Sequence, residues 1–306
     1  PADHYEMKAA TKAAIELEGP VYIRLGRLAI PSFNDPETYT FELGKGITMH
    51  EGNDITVIAT GLPVNEARKA AENLEKEGIN VRLINIHTIK PIDRDIIIKA
   101  AKETGRIITI EEHNVIGGLA DAVCEVTSSE CPVPVRRIGV NDCFGYSGPA
   151  NELLEIFGFT APSIEKVIKE ELAKKFKDNN SPLKIVIVVD MWLTGFDVPS
   201  LATMYVYKPM KGHNLMQAIA RVNRVYQDKE GGLVIDYVGI ASALKQAMKE
   251  YTSRDQDNFG QQDIATAAYP RFHEKLQVCK DLFHGFDYSG FESGSDLAKG
   301  KLISEA

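Results

Sequence analysis

The sequence has little of what would mark several protein classes. Only four cysteines occur (Cys124, Cys131, Cys143 and Cys279), and no two of them form a C-x-x-C pair. That excludes a zinc ribbon and a thioredoxin-type redox motif, and so few thiols fit a reducing compartment. No apolar run approaches the ~20 residues a membrane helix needs. With no signal peptide evident, a cytoplasmic protein without membrane contact is expected. There is no internal repeat and no low-complexity tract. The chain begins at Pro1 rather than Met, which suggests a processed product or a fragment.

What is present is globular. With 44% hydrophobic and 25% charged residues, Gly 24 and Pro 14, the composition excludes collagen, wholesale disorder and a disulfide-bound miniprotein. At roughly 150 residues per domain, 306 residues suggest about two domains. The net charge of −8 is unevenly shared: −9 falls on residues 1–173 and +1 on residues 174–306. Two domains of different origin would look like this.

Hydrophobic periodicity lays out alternating elements. A helix is predicted over Met7–Glu18, and past a Gly-Pro break Val21–Leu25 reads as a strand. The turn-rich Pro31–Pro36 is long enough for a linker. Ile55–Ala59, Val81–Ile86, Arg106–Ile110 and Val133–Ile138 read as strands. Val64–Glu77 and Asp93–Thr104 read as helices stopped by Gly78 and Gly105, and another helix follows Gly117-Gly118. Such alternation indicates βαβ units and a mostly parallel sheet, the α/β class. A helix over Ile164–Leu172 runs into the polar stretch Lys177–Pro182, a domain boundary. Beyond it, strands at Leu183–Val189, Met204–Val206 and Leu233–Tyr237 alternate with helices at His213–Arg224 and Ser242–Tyr251. After Ser253 the chain turns polar, then weakly helical, and a loosely held end is expected.

The first block offers little chemistry on its own residues. Ile107–His113 is an apolar strand ending in Glu111, Glu112 and His113, where an open α/β sheet exposes functional groups. It mimics the magnesium-holding strand of a P-loop ATPase. However, the sequence has no G-x-x-x-x-G-K-[ST], so phosphates would lack a cradle. The plainer reading is solvated loop or interface residues. Gly117-Gly118 either presents free N–H groups to an anion or only permits close strand–helix packing.

Three segments go further. Pro1-Ala2-Asp3, Gly19 through Arg27, and Glu111 through Leu119 together resemble the C-terminal section of transketolase, over about residues 1–172. The resemblance implies a thiamine-diphosphate enzyme that moves a two-carbon ketol unit between sugar phosphates. Residues 1–30 would be the tail of its pyrimidine-binding domain, and residues 40–172 its third domain, which mainly packs subunits. The diphosphate-binding domain, with its G-D-G motif and metal ligands, is not in this sequence, nor is the glutamate that activates the thiamine ring. Thiamine diphosphate and magnesium are therefore implied only if a partner supplies the site. That partner would be a missing subunit or a second copy, docked through residues 40–172. Arg27 alone matches a family position near chemistry, an arginine on the substrate phosphate. A guanidinium suits that task by bidentate, permanently charged contact; otherwise Arg27 is a surface arginine after a strand.

The second block carries a different pattern. In Thr194-Gly195-Phe196-Asp197-Val198-Pro199, a glycine and an acid after a strand let backbone approach a phosphate or ribose. On a helix, Gln217, Arg221 and Arg224 fall at i, i+4 and i+7 along one face. Two such arginines can stabilise charge on a transferring phosphoryl group; the bland alternative is a solvated basic face. The two elements resemble motifs V and VI of a superfamily-2 helicase motor. The fuller runs Asp190–Asp197, Leu215–Gln217, Gly232–Tyr237 and Asp281–Phe291 are similar to the restriction subunit of type I restriction–modification enzymes, over residues 174–306. Ala220 stands where the helicase pattern has Gly.

This second resemblance implies ATP held through Thr194, Gly195, Asp197 and Gln217, with Arg221 and Arg224 as arginine-finger-like catalytic groups. DNA is the implied partner, with Lys208 and Lys211 as meagre backbone contacts and a near-zero net charge that gives little support. The Walker A lysine, the D-E-x-H magnesium site and the nuclease domain are not in this sequence. No metal site is read from either block.

The expectation is two three-layer α/β domains, transketolase C-terminal-like and then the second RecA-like half of a helicase. The first would cover residues 1–30 and 40–172, the junction 173–182, the motor fragment 183–252, and an extension 253–306. Both pieces lack their catalytic partners. Three functions compete: a ketol transferase completed by a partner chain, an ATP-dependent DNA translocase fragment, and a non-catalytic assembly module, which best suits the isolated chain.

Overall fold

A computed structural model describes residues 1–189, 196–240, 243–244, 273 and 277. The chain divides into two compact units, Pro1–Val188 and Val189–Ala306.

The first unit opens on α1 (His4–Glu16), capped by Asp3, whose carboxylate accepts from Glu6 N at 2.9 Å. The helix starts three residues earlier than the apolar spacing predicts because the cap sets its start. The strand expected at Val21–Leu25 is not formed. Residues 20–26 pair with no strand, and Val21, Tyr22 and Leu25 are exposed. A β-branched, aromatic run becomes a strand only where a ladder partner lies alongside. One long-range bond across this stretch comes from Arg24, whose Nη2 donates to the Glu112 carbonyl at 2.6 Å.

There follow β1 (Ile47–His50), β2 (Ile55–Thr60), α2 (Pro63–Lys76), β3 (Val81–Asn85), α3 (Arg94–Thr104), β4 (Ile107–Asn114) and α4 (Leu119–Glu130). β5 (Val135–Val140), α5 (Ala150–Ile156) and α6 (Ala161–Lys177) complete the set. The five strands are ordered β1-β3-β2-β4-β5. β3, β2, β4 and β5 are parallel, and β1 is an antiparallel edge. Register runs through Thr56, opposite Arg82 on one side and Ile107 on the other. β1 and α5 have no counterpart in the sequence reading, since each is short and half-exposed or exposed, with weak periodicity.

Two apolar layers cover the sheet. Ile55, Val57 and Ala59 meet Ala67, Ala71 and Leu74 of α2 and Ile164 and Ile168 of α6. Ile58, Ile84 and Ile107 meet Ile97 and Ala101 of α3 and Val123 and Val126 of α4. Successive strand residues point to opposite faces, so a strand covered twice is buried on both, as β2 is; its one buried hydroxyl, on Thr56, is paired with Thr104. α3 is capped by Asp93 and ends on Gly105 at φ 68°, a left-handed position that suits glycine.

α6 runs past Leu172 to Lys177. Its last turns are anchored by charge. Lys175 Nζ donates to the carbonyls of Asp54 and Thr104 at 2.7 and 2.8 Å, and Glu171 takes Arg106 and Lys174, each at 2.6 Å. Leu183–Val188 forms no strand pairs and leaves Ile185 and Ile187 exposed, so the strand expected there is not formed.

In the second unit, β6 (Thr203–Val206) and β7 (Leu233–Asp236) pair in parallel, with α7 (Gly212–Val222) between them in sequence. Val206, Leu215 and Ile240 form a small buried cluster with Met204, Ile219 and Val234 against it. Tyr205 and Tyr237 stack at 6.4 Å and are exposed. α7 stops at Val222, two residues short of the expected Arg224. Lys229 Nζ donates to the carbonyls of Pro199, Val222 and Arg224 at 3.0, 2.8 and 2.8 Å. Gly232 also packs on the helix end, where a Cβ would come within 2.2 Å of the Val222 oxygen. The helix predicted at Ser242–Tyr251 falls outside the described residues apart from 243 and 244. The polar stretch and weak helix after Ser253 do so apart from 273 and 277. Among the described residues, no helix is long and apolar enough to cross a membrane.

Candidate functional site

In the first unit, the strand order places a change of winding direction between β2 and β4. Open α/β sheets bind ligands outside the carboxyl ends of their strands at such a point. A cleft of about 620 Å³ lies there. Leu62 after β2, Glu112 of β4 and Val140 of β5 line it, with Leu153, Leu154, Phe157 and Phe159 beyond. Arg27 and Leu28 line its other side. The Arg24–Glu112 bond ties the segment carrying Arg27 to the end of β4. An exposed cation and a carboxylate thus share a mostly apolar cleft.

Glu111 and Glu112, adjacent on β4, do different things. Glu111 is buried and accepts from Leu119 N at 2.7 Å and Ala120 N at 2.8 Å. These are the first N–H groups of α4, which have no partner within the helix. The anion at that helix terminus is therefore the protein's own carboxylate. Gly118 is required by it, since a Cβ there would come within 2.0 Å of Glu111 Oε2. Gly117 lies at φ 80° with open space around it, and its N–H is bonded to Asp121 at 2.6 Å. His113 is exposed and bonds the Asn114 carbonyl at 2.9 Å.

In the second unit, Thr194 and Gly195 lie outside the described residues. Asp197 and Arg224 come together, with Nε to Oδ1 at 3.3 Å. Gln217 and Arg221 share α7, and Gln217 Nε2 meets His213 Nε2 at 2.7 Å. Arg224 stands past the helix end, so the face expected from i, i+4, i+7 spacing covers only Gln217 and Arg221. No spacing rule could find Lys229, whose three carbonyl partners lie up to 30 residues away.

The first unit is an α/β domain with a mostly parallel sheet, and it is similar to the C-terminal part of transketolases. Residues 44–164 match the family described as transketolase, C-terminal domain, and residues 155–239 match type I restriction enzyme subunit R domain 3. Residues 1–172 resemble a transketolase C-terminal section, and residues 174–306 resemble the restriction subunit. One relative, 6-deoxy-6-sulfo-D-fructose transketolase subunit SqwH of Clostridium sp. (strain MSTE9), is 42% identical over 175 residues, 57% of this chain and 54% of that protein. A solved split gene transketolase, described as an inactive beta4 tetramer, is 46% identical with a TM-score of 0.54, over 56% of each chain. For the second half, the putative type I restriction enzyme MjaIXP endonuclease subunit of Methanocaldococcus jannaschii is 67% identical over 84 residues. That match covers 28% of this chain and 8% of that protein. The chain spans about half the length of the transketolase-type relatives it matches.

Thiamine diphosphate, implied by the transketolase likeness, does not fit the described side chains. They include no group of three His, Cys, Asp or Glu that could hold its metal. The helix terminus at the switch point, where a diphosphate would bind, is filled by Glu111.

Proposed function

We propose that this chain is not catalytic alone. Its first unit is an assembly domain that completes a thiamine-diphosphate-dependent ketol transferase with a partner chain, a missing subunit or a second copy docked through residues 40–172. Arg27 is its contribution to the substrate, binding a sugar phosphate. The observation that carries this reading is the switch-point cleft that Arg27 and Glu112 both line, with Arg24 bonded to the Glu112 carbonyl. The relatives support it, since they include proteins named as transketolase subunits and a split gene transketolase. Magnesium and thiamine diphosphate then belong to the missing subunit. The test mixes the purified chain with a thiamine-diphosphate-binding subunit of this type and measures ketol transfer. Activity should appear, and Arg27→Ala should raise KM for a phosphorylated acceptor about tenfold or more, the effect of losing a charge-assisted contact. A mixture that transfers nothing rejects the reading.

For the second unit we infer a fragment of a RecA-like motor half, residues 183–252, with an extension at 253–306. The Asp197–Arg224 contact favours it, because it joins the two motif-like segments. Thr194, Gly195, Asp197 and Gln217 would then line one wall of an ATP cleft, with Arg221 and Arg224 facing the γ-phosphate and DNA alongside. Combined with a first RecA-like domain, the chain should support ATP hydrolysis that Arg221→Ala abolishes. An unchanged rate in that variant rejects the assignment. Both units would work in the cytoplasm.

A further inference from the structure

We propose that Glu6 carries a proton in the folded chain and forms a two-bond acid–amide pair with Asn85, a pH-sensitive clamp between the N-terminal segment and the sheet. Glu6 sits in the first turn of α1 and is 0% exposed; Asn85, the last residue of β3, is 1% exposed. Asn85 Nδ2 donates to Glu6 Oε2 at 2.8 Å, and Ala2 N donates to the same oxygen at 3.2 Å. The opposite edge of the pair is anomalous. Glu6 Oε1 and Asn85 Oδ1 are both buried acceptors, and neither has a donor. Two orphaned oxygens on side chains already joined along their other edge lack a single hydrogen. A proton on Oε1 supplies it: the acid hydroxyl donates to Oδ1 while the acid carbonyl, Oε2, accepts from Nδ2 and Ala2 N. An ionised Glu6 would instead leave a buried charge with one oxygen unpartnered, which costs far more.

The neighbours agree. Asp3, beside Glu6, accepts from Glu6 N, Phe33 N and Asn34 N at 2.8–3.0 Å. Burial pushes its carboxyl up, but those bonds outweigh burial and hold it below its ordinary value. Asp3 is the ionised acid of the cluster and Glu6 the neutral one. Burial is the largest influence on Glu6 and pushes it above the ordinary 4.5, with Asp3 adding to the rise. The Asn85 and Ala2 bonds oppose it without reversing it. Tyr39, close to both acids, keeps its proton because burial pushes it up, with the ionised Asp3 adding to the rise. His87, beyond Asn85, is pushed down chiefly by burial, and so is neutral.

The linkage has a definite sign. A carboxyl whose folded pKa is raised binds more protons folded than unfolded above about 4.5. Its stabilisation is therefore complete below that value and is lost as pH rises through the folded pKa. His87 acts in the opposite sense, since its lowered pKa costs stability as pH falls below its ordinary 6.5. Glu6→Gln separates the two, because the glutamine amide makes both bonds to Asn85 at every pH. The full chain, with 13C-labelled glutamate, is followed by NMR alongside thermal melting from about pH 5 to about pH 9. The native chain should show one carboxyl that stays protonated at neutral pH and is missing from Glu6→Gln. The Tm of the native chain relative to Glu6→Gln should fall steadily as pH rises. An ionised Glu6 at neutral pH, or parallel Tm curves, would overturn the proposal. If Glu6→Gln does not fold, the carboxyl spectrum of the native chain decides alone.

Discussion

Both units use strand–helix–strand grammar, but they differ in how many faces of the sheet are covered. β2 of the first unit is walled by α2 and α6 on one side and α3 and α4 on the other, and five of its six residues are buried. The described part of the second unit sets α7 against one face of two short strands, while Tyr205, Leu233 and Tyr237 stay exposed. A parallel sheet gains most of its stability from burying both faces. The lesson is that a sequence can carry a motif intact while, among the described residues, few layers cover it. Phe196 and Val198 in one motif-like segment and Ala218 and Val222 in the other are buried, while Asp197 and Arg224 join the two segments by a polar contact.

Core truncation breaks this comparison most strongly. Ile58→Ala in β2 should destabilise the first unit by about 2–5 kcal/mol, the cost of an Ile-to-Ala cavity in a rigid site. Leu215→Ala in the second unit removes a similar volume, but its thinner surroundings can relax, so a loss near the low end of about 2–5 kcal/mol is expected. Hydrogen exchange resolved by unit measures both. Equal losses would mean that the second unit packs as fully as the first.

Next comes a pair of adjacent glycines. Gly118→Ala must displace the Glu111 carboxylate from the start of α4, at about 1–3 kcal/mol for unmade bonds to a buried charge. Gly117→Ala meets open space and bears only the strain of its positive φ, about 1 kcal/mol. Chemical unfolding of both variants ranks them. The reverse order would show that Glu111 can leave α4 freely.

The same residues show what the sequence could and could not tell. The mostly apolar run of β2, the Val64, Ala67, Ala71, Leu74 stripe of α2 and the Gly105 stop of α3 were legible because they are local patterns. Val21–Leu25 and Leu183–Val189 carry the same strand pattern and form no strand, because pairing depends on a neighbour that composition cannot show. In the site, the Glu111 run stood out as the end of a strand, yet its role depends on a carboxylate folding back onto N–H groups eight and nine residues later. The cluster of Asp3, Glu6 and Asn85 left no trace in the spacing at all, since Glu6 and Asn85 are 79 residues apart.

A smaller effect separates covalent neighbours from spatial ones in the second unit. Lys229→Met keeps the length and apolar stem but removes donors to three carbonyls, one at the last residue of α7. A loss of about 1–2 kcal/mol is expected, confined to the second unit. Faster amide exchange at 219–224, with 55–110 unchanged, would confirm it. Unchanged exchange at 219–224 would show that Gly232 packing alone ends the helix.

The smallest expected change tests whether the motif-like segments are tied by structure or only lie together. Asp197 and Arg224 are each about half exposed, and an exposed pair contributes roughly 0–1 kcal/mol, mostly screened away by salt. Asp197→Asn should therefore lower stability by less than about 1 kcal/mol at low ionic strength and by almost nothing near 0.5 M salt. A larger, salt-independent loss would make the pair part of the unit's framework and raise the second unit's polar contacts to the rank of the first unit's core. A loss that salt removes leaves Arg224 free to exchange its carboxylate for a phosphate, which is the behaviour an arginine needs if its partner is to be a nucleotide.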